Sequence, residues 1–527
     1  VKRFLKILLL VLAVFILYCL FLFFVPHGSA RSKLAEYKKQ LIAKGEKLDL
    51  ASVAPSHRTD VSNGASEFLR AAANWNNPND FTPIMRMVAP GSAMVGHRNL
   101  DAASLTNYEA NKFVASNVRA SLKADTLDFG VGYSGLSYST VLSHLPRIKS
   151  AAILLSQTAM QALYTNDLEE AALDLGAEAD LMRIWDSEPI LISSLVRMVC
   201  VRIGVATTWE GLQHEGWADA QLAELQAKWQ RVDLISSLES IMAGERVFGI
   251  NSMAEARKAT NAAQLDLSAI VSGTSGPSFG EWASRLVADP KAALRDAYER
   301  YPKFWRWKST WSYEEELYGL ELASAALQAA RSMKHSGYCV PALATMSMQN
   351  SNDFQSHPGA ENHFMLLKNS DGFYVQSIVK AAQAETARRL LITAIALKRY
   401  NLRHGKWPES LDELVPEFIE KVPLDFMDGK SLRYKPTPEG RFLLYSVGED
   451  GTDNGGNPIP VPSQSPGLIP IPLPVYSTAT IDWLKTRDIV WPQPANAQQI
   501  QDFKRTHNVL PGRTVARPAV ETPPPAK

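Results

Sequence analysis

The residues with most scope for chemistry lie on a glycine-rich turn, Glu449-Asp450-Gly451-Thr452-Asp453-Asn454-Gly455-Gly456. Ca²⁺ takes roughly six to eight oxygen ligands at loose geometry, which carboxylates, an amide and carbonyls on a flexible turn can supply. Asp450, Asp453 and Asn454 are therefore the expected Ca²⁺ ligands, although their spacing is not that of an EF-hand. The plainer reading is a solvated acidic turn. A second set, Asp353, His357, Glu361 and His363, combines imidazole with carboxylate, the chemistry of a transition-metal site. On that set rests the alternative of a metal-dependent hydrolase. It lacks the helical His-Glu-x-x-His arrangement, and Pro358-Gly359 keeps His357 off any helix carrying the other two. A loop whose histidines cap or face solvent is the simpler expectation. Gly244-Glu245-Arg246-Val247 places opposite charges side by side on a helix, read as a structural ion pair in a core. Ser275 in Gly273-Thr274-Ser275-Gly276 lacks the strand-turn-helix setting of a serine nucleophile, and no phosphate-binding or dinucleotide fingerprint occurs.

These residues need a scaffold, and composition bounds it. At 527 residues the chain has room for about two to four domains. A hydrophobic fraction of 46% gives it ample core. With 55 basic and 54 acidic residues the net charge is +1, so no bulk field favours nucleic acid. Three cysteines show no CxxC spacing. Cys19 sits in the apolar N-terminal run, and Cys200 and Cys339 are expected as buried thiols, a single disulfide between them being the alternative.

The chain opens with Lys2, Arg3 and Lys6, then an unbroken apolar run over 7–25. As a helix that run is ~28 Å long, enough for a bilayer's hydrocarbon and longer than the apolar core of a signal peptide. An uncleaved single-pass anchor touching lipid through 7–25 is expected, with a signal peptide cut near Gly28-Ser29-Ala30 as its rival. A Lys-rich stalk follows. Counting its basic residues alone would put this side in the cytoplasm. Residues 101–330 read as helices, best seen at 152–185, where Thr165-Asn166-Asp167 separates two apolar-patterned stretches. Further helices are expected over 190–209, 218–231 and 234–259, and the aromatics from Tyr301 to Tyr318 suggest a packed helix seam.

Residues 384–456 have the clearest local pattern. At 100° per residue Glu385, Arg388, Arg389, Arg399 and Arg403 share one stripe. Ala384, Ala387, Leu391, Ala394, Ile395 and Leu402 lie opposite, which predicts an amphipathic helix. Gly405 ends it, Ser410 and Glu413 form a capping box, and 432–434 and 441–447 read as paired strands. In order come Tyr400, Gly405, Trp407-Pro408, Leu411, Leu414, Val422-Pro423-Leu424-Asp425, Gly429, Tyr434, Tyr445-Ser446, Gly448, Asp450-Gly451 and Gly455-Gly456. This series resembles the C-terminal half of the major pseudopilins of type II secretion systems. It is similar, more closely, to a module of membrane-anchored proteins from planctomycete- and verrucomicrobium-like bacteria, where a tail like Asp488-Ile489-Val490-Trp491-Pro492 follows. The resemblance implies Ca²⁺ at Asp450 and Asp453, an inner-membrane protein with its bulk in the periplasm, and an envelope or secretion-system partner. Two features depart from the family: no prepilin processing motif precedes Ile7, and Asp425-Phe426 stands where the family has Asp-Pro.

The expected chain is thus mainly α. It comprises a membrane anchor (1–30), a stalk and irregular segment (31–100) and an α-helical domain (101–334). A connector (335–377), a small α+β pseudopilin-like module (378–456) and a proline-rich tail (457–527) complete it. A non-enzymatic interaction or scaffold role at the cell envelope is the expected function.

Overall fold

The computed structural model describes residues 29–54, 60–75, 86–87, 93–95, 108–133, 137, 140–185, 188–260, 304–339, 373–459, 484–494 and 498. The apolar run at 7–25, the loop at 273–280 and the set Asp353, His357, Glu361 and His363 lie outside them, as does Trp483.

The chain is mainly helical. Helix α1 covers 29–43, followed by α2 (Leu50–Val53), α3 (Ala65–Ala73) and α4 (Tyr108–Ser121). Then come α5 (His144–Tyr164), α6 (Leu168–Ile184), α7 (Leu191–Leu212), α8 (Asp219–Gln230) and α9 (Leu238–Ala256). Helix α10 (Ser312–Ser336) follows a widened turn at Trp307–Trp311, and α11 is Phe373–His404. The helical hairpin at 152–185 is α5 and α6. Asn166 makes its turn in the left-handed region at φ 59°, and Asp167 caps α6 by accepting from the Glu170 N–H. In the aromatic stretch Phe304, Trp307 and Tyr318 are buried, as a packed seam requires.

Helix α7 is long and apolar enough to cross a membrane, but most of it is buried inside the protein against α5, α6, α9 and α11. Such uniform apolarity reflects a helix covered on all sides. One hydrophobic core runs from Phe68 through Trp209, Trp229 and Leu391 to Leu444 and Trp491. Cys200 and Cys339 are free buried thiols within it.

Strands β1 (Arg86–Met87) and β2 (Ala93–Val95) are antiparallel. A second sheet has the order β3 (Arg433–Pro436), β4 (Phe442–Ser446), β5 (Ile489–Val490), antiparallel throughout. Tyr434 faces Leu444, and Tyr445 faces Val490. Strand β6 (Gln493–Pro494) pairs in parallel with β2, so the chain after Asp488 bridges both sheets. The Ser410–Glu413 capping box forms, opening a short 3₁₀ turn at Leu411–Leu414.

Helix α11 corrects the amphipathic expectation. Leu391 and Ile395 are fully buried, but so is much of the charged stripe: Glu385 and Arg399 are 3% and 8% exposed. Arg399 and Arg403 meet α8 through Asp219 and Arg388 through the Trp229 carbonyl, while Arg389 donates to the Leu424 carbonyl. Arg388 and Arg389 each reach Glu385 at 2.8 Å, and Arg399 reaches Asp219 at 2.8 Å and Gln226 at 3.1 Å. Leu402, expected on the core face, is 41% exposed because the chain from Leu402 to Lys406 projects beyond its cover.

Candidate functional site

The C-terminal sheet is built around two buried aspartates. Asp425 Oδ1 accepts from Met427 N at 2.9 Å and Ser446 Oγ at 2.6 Å. Its Oδ2 accepts from Val447 N and Arg433 Nη1, both at 2.9 Å. Four donors thus fix the turn before β3 against the end of β4. Asp488 accepts three backbone N–H groups, from Asn454 (3.2 Å), Gly456 (2.9 Å) and Asn457 (2.7 Å). Burial nudges both carboxyls above the usual aspartate range, and these donors hold them back from going further. Gly448 makes the reversal after β4 at φ 68°. A Cβ there would lie 2.1 Å from the Arg487 carbonyl oxygen, so the strand reaches its partner only as glycine.

This geometry bears on the expected Ca²⁺ ligands. Asp453 accepts from Tyr445 Oη and Gly455 N at 2.9 Å and lies 3.4 Å from Arg433 Nε. These contacts hold its carboxyl below the usual range, the Gly455 N–H foremost. Asp450 accepts from Thr452 N at 2.9 Å and from Asn454 Nδ2 at 3.3 Å. The loop amides converge on the Asp488 carboxylate, so the turn is organised around an internal anion. A guanidinium already occupies the cationic place beside Asp453. As arranged, the carboxylates of Asp450 and Asp453 accept from donors of the chain itself. No group of three or more His, Cys, Asp or Glu side chains among the described residues is placed to hold a metal.

In the Gly244-Glu245-Arg246 step the arginine makes a buried structural ion pair, with Glu46. Arg246 is tied to Glu46 at 2.8 Å and to the Lys47 carbonyl at 3.0 Å, clamping the chain after α1 onto α9. Arg331 joins the same carboxylate at 2.6 Å. Gly244 is needed because a Cβ would sit 1.9 Å from the Pro189 carbonyl oxygen. Glu245 instead faces an apolar cleft of about 210 Å³ with Ile190, Leu195, Phe248 and Phe373, hydrogen-bonded to the Leu191 backbone at the start of α7. Desolvation pushes its carboxyl up to about 7. Its role is to serve an otherwise unpaired N–H of the first turn of α7.

A second cleft, of about 170 Å³, lies where the helical body meets the sheet. Leu212, Ala394, Trp491 and Pro492 line it; Trp407 packs edge-on against Phe442 at 4.8 Å, with Lys398 and Arg441 alongside. Trp407 Nε1 donates to the Gly440 carbonyl at 2.8 Å, and Trp209 Nε1 to that of Pro492 at 2.9 Å, fixing the walls. No motif announces this cleft. Its residues come from five separate stretches, and Trp407-Pro408 was visible only as punctuation. Comparison with family models, curated proteins and solved structures finds no match to this chain.

Proposed function

We propose that this chain is a single-pass, membrane-anchored protein of the cell envelope with a non-enzymatic scaffold role. In this reading its bulk lies on the periplasmic side, and its C-terminal α+β part is a pseudopilin-like module working beside a secretion apparatus. The observation carrying the reading is how the charged groups are spent. Glu46 binds Arg246 and Arg331, Glu316 binds Lys38 and Arg257, and Asp219 binds Arg399 and Arg403. Each cluster joins segments distant in sequence, so charge here locks elements together. The helix at 29–43, next after the apolar run, is itself clamped through Lys38 and followed by the Glu46 clamp. A body held rigidly to the segment beside its anchor suits a protein that presents surfaces to partners.

The test is envelope fractionation of native cells followed by gentle detergent extraction. The protein should stay in the inner-membrane fraction through an alkaline carbonate wash and migrate on native gels well above its own mass. Release by carbonate, or migration at its own mass throughout, would overturn the proposal.

A further inference from the structure

We infer that the cleft between α7, α11 and the C-terminal sheet docks an acidic peptide segment of a partner protein, seated by one aromatic side chain. The inference rests on the interaction reading and names the partner's chemistry. At about 170 Å³ the cleft is well below the ~300–1,000 Å³ of ordinary small-molecule pockets, and has room for a single large side chain. Its apolar lining is Leu212, Ala394, Trp491 and Pro492, with the Trp407–Phe442 pair offering edges and faces for an aromatic ring. The walls are fixed in advance by Trp407 to Gly440 and by Gln493 Nε2 to the Phe442 carbonyl at 2.9 Å. Little ordering remains to oppose binding.

Charge selects the partner's sign. Lys398 is half-buried on α11 and makes no hydrogen bond or ion pair among the described residues; Glu215 attracts it only at longer range. Burial draws its ammonium below the ordinary lysine range, the mark of a cation short of solvent and of a close counter-charge. Arg441 is exposed and donates from Nη1 to the Pro494 carbonyl at 3.3 Å. A carboxylate flanking the seated ring would give Lys398 its missing partner and add a second contact at Arg441. With a net charge of +1 the chain has no general attraction for anions, so the preference is local.

The experiment is fluorescence anisotropy on the detergent-solubilised full chain with a labelled probe peptide of one phenylalanine flanked by aspartates and glutamates. Binding should weaken as salt rises. It should fall at least about tenfold for a peptide with lysines in place of the acids, and similarly for one with alanine in place of phenylalanine. Lys398→Glu and Arg441→Glu should each weaken binding about tenfold with the melting midpoint unchanged, while Lys398→Arg retains it. Should Lys398→Glu fail to fold, the exposed Arg441→Glu decides alone. Equal binding of acidic and basic peptides, or indifference to both reversals, would overturn the inference. Loss of peptide binding with the native assembly intact removes only this inference. Peptide binding by a protein that runs at its own mass removes only the scaffold reading.

Discussion

The helical hairpin and the C-terminal sheet bury carboxylates in opposite ways. On α6, Glu170, Asp174 and Glu178 form a buried stripe, with Arg119 paired to the first two. Among the described residues Glu178 Oε1 has only the Thr207 hydroxyl at 3.3 Å, and Glu178 Oε2 finds no hydrogen-bond partner. In the sheet, Asp488 is met by three backbone N–H groups, and Asp425 by two together with the Ser446 hydroxyl and the Arg433 guanidinium. The difference follows from secondary structure. Inside a helix every amide is already spent four residues back, so a buried carboxylate must look to side chains. Turns and strand ends have amides to spare, and a carboxylate can gather them. Burial accordingly drives Asp174 up to about 6 and Glu178 well above its usual range; it raises Asp425 and Asp488 too, there against the opposing pull of backbone donors.

The largest test of this contrast is Asp425→Ala. Removing the acceptor of four donors should cost ~3–5 kcal/mol, read from denaturant midpoints. A loss under about 1 kcal/mol would show that the sheet does not depend on it. Leu391→Ala probes α11, which packs on α7, α8 and β4. Its side chain is fully buried, so a cost of ~2–5 kcal/mol is expected, and a change within error would mean that the site collapses freely.

Glu178→Gln should behave unlike Asp425→Ala. Burial disfavours the charged form of this carboxyl, so exchanging it for a neutral amide of the same shape should change stability at pH 7 by less than about 1 kcal/mol. The pH profile sharpens this. Asp174 and Glu245 bind protons more tightly folded than unfolded, from ordinary values of 3.8 and 4.5 up to about 6 and 7. The stability they contribute is full below pH 4 and is lost as pH rises to 6 or 7. His214, drawn down by burial, acts in the opposite direction near neutrality, so the variant difference is the clean readout. Glu245→Gln should flatten the decline between pH 5 and 7, and an unchanged slope would remove Glu245 from it.

The smallest expected effect concerns the glycine-rich turn. With Asp488 gathering its amides and Arg433 beside Asp453, millimolar Ca²⁺ should move the melting midpoint no more than Mg²⁺ does. A Ca²⁺-specific rise, lost in Asp450→Ala and Asp453→Ala, would instead support Ca²⁺ at these residues.

Local pattern determined a good deal by itself. Apolar periodicity placed the α5–α6 hairpin and the core of α11, Ser410 with Glu413 gave the capping box, and the strand-like runs at 432–434 and 441–447 located β3 and β4, the first stopping two residues short of the end of β3. These depend on neighbours within a few residues, where spacing alone sets which side chains meet. Tertiary structure decided whether a charged stripe meets water or another helix, as at Glu385 and Arg399. It also decided which acid organises the last turn. Asp488 lies 34 residues beyond Asn454, and only the strand pairing of β4 with β5 brings them together. Lys398 shares its helix with apolar neighbours and is unremarkable in sequence. It acquires a role only where α11 crosses the sheet, because a cation's worth depends on the counter-charges and water that packing leaves it.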